Sequence, residues 1–93
     1  MLYLFHRSSC GPCQVVDDFL EKTGDTRVDR ILKVNLETGV ATDEELQTGE
    51  KYGIKTTPAL TVTNHDDVVI EEHVGALSIT RNLRRILELR LGA

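Results

Sequence analysis

The chain has 93 residues, is 40% hydrophobic and 28% charged, and carries a formal net charge of −4 from 15 acidic and 11 basic side chains. That is about one domain's worth of chain, apolar enough to bury a modest core and too apolar for a disordered segment. The acidic, interspersed charge argues against a nucleic-acid ligand, which needs a basic face, and no apolar run approaches the roughly 18 residues that cross a bilayer.

The opening Met1–Phe5 run is apolar but short. It lacks a basic flank and a small-residue cleavage site, so no signal peptide is expected. Leu2 to His6 reads as a buried strand running into the turn Ser8-Ser9-Cys10-Gly11-Pro12. Pro12 fits a first helical turn, where its missing N–H does no harm. From Cys13, residues Val15, Val16, Phe19 and Leu20 recur at helical spacing. Asp17, Asp18, Glu21 and Lys22 are then expected on the opposite face, with Gly24 as the stop. Ile31–Leu36 predicts a second strand, followed by a loop through Thr38-Gly39. Thr42 precedes Glu45 by three residues, a capping-box pattern. It opens a polar helix to about Tyr52, ended by Gly53. Ala59–Thr63 predicts a third strand, Asn64–Asp67 a turn and Val68–Val74 a fourth strand. Gly75-Ala76 breaks that hairpin. Ser78 is then expected to cap a last helix with Ile79, Leu83, Ile86 and Leu87 on one stripe. Glu44, Glu45, Asp66, Asp67, Arg81, Arg84 and Arg85 read as solvated surface charge.

The order β-α-β-α-β-β-α predicts an α/β fold in a single domain over residues 1–93. The first two strands pair in parallel through a right-handed crossover and the last two form an antiparallel hairpin. Helices cover both faces of one mixed four-stranded sheet, making three layers.

Cys10 and Cys13 are the only cysteines. A disulfide between them closes a very short loop and restrains the unfolded chain little, so the pair points to redox or metal chemistry and away from scaffolding. A helix N-terminus stabilises a thiolate through its unpaired N–H groups and partial positive charge. Cys10, at that end, is the expected nucleophile toward a target disulfide. Cys13, one turn further in, would resolve the mixed disulfide. Gly11-Pro12 stiffens the turn. The metal alternative is half a zinc knuckle completed by two of His6, His65 and His73. His65 and His73 fall at opposite ends of the predicted hairpin's second strand, an awkward arrangement for one tetrahedral site. Proline cannot donate to a strand ladder and suits a strand's first residue, which places Pro58 at the start of the third strand. A trans bond is the ordinary case. With Cys-Gly-Pro-Cys upstream in this topology, a cis Thr57–Pro58 bond exposing the backbone of Thr57 is expected instead.

Taken together, these segments resemble the thioredoxin family over essentially the whole chain. Cys10-Gly11-Pro12-Cys13 is similar to the thioredoxin tetrad. Lys33-Val34-Asn35-Leu36 resembles the strand that carries the family's lysine beneath the active site. Lys51-Tyr52-Gly53-Ile54 with Thr57-Pro58-Ala59-Leu60 resembles the approach to its cis-proline, and Val74-Gly75-Ala76-Leu77-Ser78 the loop before the last helix. The resemblance implies that Cys10 attacks, Cys13 resolves and Pro58 is the cis-proline. It also implies that Thr57 offers backbone to an extended substrate segment, with Val74 and Gly75 in the surrounding docking surface.

The chain departs from the pattern in four places. The strand before the tetrad comes first, so a full thioredoxin's extra strand and helix are expected to be lacking. Ser9 stands where the family usually has a tryptophan, which alters the docking surface. The family's buried aspartate falls on Leu4, leaving Lys33 without that partner. Removal of the Cys13 proton then needs another acceptor. His6 is one candidate, on Leu4's strand face, unless it simply caps the strand's end. Finally, the segment from Glu37 to Glu50 is longer than its thioredoxin counterpart.

The resemblance implies a small thiol–disulfide oxidoreductase reducing protein disulfides, ribonucleotide reductase being one compatible target. It would need no cofactor beyond the Cys10–Cys13 pair, no metal, no nucleic acid and no membrane. A monomer in a reducing cytoplasm, recycled by thioredoxin reductase or glutathione, is the expected setting. Two alternatives stand beside it. One is a glutaredoxin-like donor recycled by glutathione, favoured by the short length but not by the tetrad. The other is a non-catalytic binding subunit on the same scaffold.

Overall fold

The structure is a computed structural model that describes residues 1–92. Its strands are β1 (Leu2–His6), β2 (Leu32–Asn35), β3 (Ala59–Thr63) and β4 (Val69–Val74), and its helices α1 (Gly11–Lys22), α2 (Asp43–Lys51) and α3 (Ala76–Leu91). A single 3₁₀ turn, Thr26–Arg30, not expected from the sequence, precedes β2. The sheet order is β2-β1-β3-β4. β1 runs parallel to β2, while β3 is antiparallel to both β1 and β4. This is the mixed four-stranded α/β sheet expected from the order of elements.

Alternation along the strands sorts their side chains between two cores. Leu2, Leu4, Leu60 and Val62 face one way and pack with Val16 and Leu20 of α1 and with Ile79, Leu83, Ile86 and Leu87 of α3. Phe5, Val34, Leu36 and Ala59 face the other way, with Tyr3, Tyr52 and Ile54 packed against them. The layer order is therefore α1 and α3, sheet, α2. The α2 backbone comes so close to the residue after β2 that a Cβ on Gly49 would sit 2.9 Å from Leu36 Cδ2. A glycine inside a helix costs about 1 kcal/mol of propensity, and here it permits that approach.

Two local expectations are corrected. The buried stripe of α1 is Cys13, Val16 and Leu20; Val15 is 55% exposed and Phe19 38%. Helix α3 begins after Gly75, not at Ser78. Gly75 has φ 92°, ψ 152° and provides no side-chain cap, its N–H donates to Pro58 O at 2.9 Å and its carbonyl accepts from Ile79 N at 3.1 Å. That tether starts the helix earlier, and Ser78 Oγ instead meets His73 Nδ1 at 3.1 Å. Asp67 is exposed, as expected of a surface charge, and there it pairs with Lys51 and accepts from the Tyr52 hydroxyl. The expected capping box of α2 is present between Thr42 and Glu45.

Candidate active site

β1 ends at His6 in the middle of the sheet, and the chain turns through Arg7, Ser8 and Ser9 into α1. Cys10 is the N-cap of that helix, with φ −140° and ψ 108°, and Pro12 lies in the first turn. An extended N-cap turns its side chain back over the free N–H groups. Here Cys10 Sγ accepts from Cys13 N at 3.2 Å. Cys10 and Cys13 form a disulfide, with Cα atoms 5.2 Å apart. The two are unequal: Cys10 is half-buried, whereas Cys13 is 2% exposed and inside the helix's packed face. The sulfur that reaches solvent is thus also the one at the positive end of the helix.

The approach to β3 closes the other side. Thr57–Pro58 is cis. Thr57 O lies 3.9 Å from Cys10 Sγ, and the Thr57 hydroxyl points to the same sulfur at 3.8 Å. Val74 pairs with Ala59 across the β3–β4 ladder. With the Gly75-to-Pro58 hydrogen bond, this sets Val74 and Gly75 at the rim beside Pro58. Val74 is 46% exposed there.

The expected residues therefore divide. Ser9, Cys10, Gly11, Pro12 and Cys13 make one wall of the site, and Thr57, Pro58, Val74 and Gly75 the other. Lys33 stands on β2, opposite Leu4 in the strand register, and its Nζ is 3.6 Å from Asp17 Oδ1 of α1. Asp17 is a correction to the sequence reading, which set it on the solvent face; it is half-buried against β2. His6 faces Asn35 in the register, and among the described residues no hydrogen bond joins its ring to Cys13.

Glu37 enters the site unannounced by any sequence motif. Its Oε1 accepts from Ser9 N at 3.2 Å and Ser9 Oγ at 2.5 Å. Its own N–H donates to Asn35 Oδ1 at 2.8 Å, while Asn35 Nδ2 donates to Ser8 Oγ at 3.3 Å. Ser9 is thereby clamped to the loop after β2. Asn35 N in turn donates to Glu45 Oε2 at 2.7 Å. Backbone donors at Thr42 and Asn35 hold the Glu45 carboxyl below the usual carboxylate range. The only cue in the sequence was position: Asn35 ends, and Glu37 follows, a strand whose parallel neighbour leads into the tetrad.

The family model for thioredoxin matches residues 1–88. No curated protein matches. Among solved structures, Chlamydomonas reinhardtii thioredoxin f2 is similar at 22% identity and a TM-score of 0.69, covering 99% of this chain and 79% of that one. Malassezia sympodialis thioredoxin Mala s 13 is similar at 22% identity and a TM-score of 0.68, covering 95% and 71%. Plasmodium falciparum thioredoxin is similar at 19% identity and a TM-score of 0.64, covering 96% and 83%. At these identities the likeness speaks to fold alone.

Proposed function

The chain belongs to the thioredoxin family, and from that premise we propose that it is a small thiol–disulfide oxidoreductase that reduces protein disulfides with the Cys10–Cys13 dithiol. One observation carries the reading. The two sulfurs are split between an accessible N-cap and a buried first helical turn, beside a cis-proline loop. That asymmetry suits an attacking thiol and a resolving thiol.

In the dithiol state the Cys10 thiolate attacks one sulfur of a target disulfide. A Cys10–target disulfide forms, and the other target sulfur leaves as a thiolate and takes a proton. Cys13, once deprotonated, attacks Cys10 Sγ. The Cys10–Cys13 disulfide forms and the second target thiolate leaves. Two electrons pass from the protein's dithiol to the target. Helix α1 stabilises the Cys10 thiolate through its N-terminal N–H groups. The Thr57 backbone beside Cys10 suits an extended target segment, with Val74 and Gly75 forming the rim. Gly11 and Pro12 fix the turn, and Ser9 leaves the rim open where a bulky side chain would close it. The reading needs no cofactor or metal, and fits a monomer in a reducing compartment such as the cytoplasm. Ribonucleotide reductase is one target of the right chemistry.

The test is to oxidise the protein and follow NADPH consumption with insulin as the disulfide substrate. Thioredoxin reductase is supplied in one arm, glutathione with glutathione reductase in the other. Turnover through thioredoxin reductase, abolished in Cys10→Ser, is the expected result. Turnover through glutathione alone would make this a glutaredoxin-type donor. Turnover in neither arm would sink the reductase reading and leave a binding subunit.

A further inference from the structure

Asp17 Oδ1 is fully covered by protein and, among the described residues, receives no hydrogen bond. Covered carboxylate oxygens ordinarily find a donor, because burial takes away their water. Lys33 Nζ at 3.6 Å supplies opposite charge but is too far for a hydrogen bond. The remaining neighbour of interest is one helical turn earlier. Cys13 and Asp17 stand at positions i and i+4 of α1, and helical side chains lean toward the N-terminus, which inclines the carboxylate toward the turn that holds Cys13. In the disulfide, Cys13 has no proton to give. Reduction puts an S–H on that sulfur, one turn from an oxygen that lacks a donor.

We propose that Asp17, held by Lys33, is the group that takes the proton from the Cys13 thiol and returns it to solvent. The proposal rests on the dithiol reading above. Cys13 is 2% exposed, so its proton has no direct path to bulk water. The Asp17 side chain is 31% exposed although Oδ1 is covered, so the rest of the group reaches water and links the buried sulfur to it. Leu4, the sheet residue opposite Lys33, is buried in the apolar cluster and offers no substitute, and among the described residues no hydrogen bond joins the His6 ring to Cys13. In the resolving step the S–H bond of Cys13 breaks and its proton passes to the Asp17 carboxylate. The resulting thiolate attacks Cys10 Sγ, the Cys10–target bond breaks, and the departing target thiolate is protonated from solvent or from Asp17. No further oxidant or reductant enters. The charged group that faces Asp17 from another element is Lys33 of β2; Arg81 of α3 shares a groove with the neighbouring Asp18. On its own helix the charged neighbours are Asp18 and Glu21, the latter lining a groove with Lys33.

The experiment mixes the reduced protein, in excess, with 5,5′-dithiobis(2-nitrobenzoate) and follows thionitrobenzoate in a stopped flow. The first release reports Cys10 attack, and the second reports Cys13 resolving the mixed disulfide. With Asp17 as acceptor, the wild-type second phase is nearly level with pH across the neutral range. In Asp17→Asn it is slower by about a hundredfold or more at neutral pH. There it climbs with the thiolate fraction, about tenfold per pH unit, and rejoins wild type in alkali. A second phase that matches wild type, or one slowed equally at every pH, overturns the proposal. Lys33→Met carries the same test should Asp17→Asn fail to fold. The Lys33→Met substitution frees the carboxylate from the cation that holds it, so the second phase should slow with the first unchanged, and Lys33→Arg should restore it; an unslowed second phase overturns the proposal. Absence of any first phase in wild type would overturn the dithiol reading itself, which a normal first phase separates from failure of Asp17 alone.

Discussion

The face of the sheet under α1 and α3 is a continuous apolar cluster running from Leu2 to Leu87, whereas the face under α2 buries only Phe5, Val34, Leu36 and Ala59, with Tyr3, Tyr52 and Ile54 at its margin. Helix α2 contributes a single buried residue, Gly49. What ties it down is polar. Glu45 joins its first turn to β2 through Asn35 N. At its other end Asp67 holds Lys51 and Tyr52. Burial, then the Asp67 carboxylate, pushes the Tyr52 hydroxyl above its ordinary range, and Lys51 holds Asp67 below its own. The two faces thus show two ways of fixing a helix to a sheet: area on one side, directed hydrogen bonds on the other. The reactive disulfide belongs to the first, where rigid packing fixes Cys13 from below.

The sharpest break of that comparison is to cut each core. Ile86→Ala, at a fully buried position of α3, is expected to lose about 2–5 kcal/mol in urea unfolding. Leu36→Ala removes a side chain from the thinner core, where it is 8% exposed. Its loss should fall at the low end, about 2 kcal/mol. Equal losses would erase the distinction between the faces. Glu45→Ala strips two backbone donors, Thr42 N and Asn35 N, of their acceptor. About 1–2 kcal/mol is expected in the same unfolding measurement, and a neutral result would mean that α2 is held by its small core alone.

The smallest effect concerns the β4 edge of the apolar face, where the lining turns ionic. Glu71 meets Arg85 at 2.5 Å, His73 at 2.7 Å and Arg90 at 3.5 Å. Arg85, then His73, draws its carboxyl from 4.5 down to about 2. A carboxyl held lower in the folded state than in the unfolded one stabilises above the unfolded value. That stability is full above about pH 4.5 and is lost as pH falls toward 2. Arg85 is 49% exposed, so solvent screening holds the contribution near about 1 kcal/mol. Glu71→Gln should therefore flatten the acid limb of a stability–pH curve between those values and leave an unchanged slope elsewhere. An acid limb identical to wild type would remove Glu71 from the account.

Much of the fold was legible because its signals are local. The bounds of β1 and β3, the Thr42 capping box and the Ile79–Leu83–Ile86–Leu87 stripe each follow from neighbours a few residues apart. The helix carrying the tetrad was legible too, but not its orientation. Val15 and Phe19 fit a helical period as well as Cys13, Val16 and Leu20 do, and only the position of the sheet decides which stripe is covered. The same ambiguity hid Asp17. Read as part of a polar stripe it belongs to solvent, yet β2 lies against it. Ser78 misled because a serine near a helix start is ordinarily a cap, whereas the Gly75-to-Pro58 hydrogen bond had already set where α3 begins.

The sequence by itself determined the order of strands and helices, the parallel and antiparallel pairings they imply, and the two cysteines at the head of α1. Those properties depend on short-range sterics, hydrophobic period and backbone hydrogen bonding, which neighbouring residues specify. Only the tertiary structure decided that Thr57 and Cys10 meet across 47 positions of chain, that Glu37 clamps Ser9, and that Asp17 and Lys33 face each other between α1 and β2. Such contacts depend on where separate elements come to rest against one shared sheet, and no local pattern encodes a distance between residues that only the packing brings together.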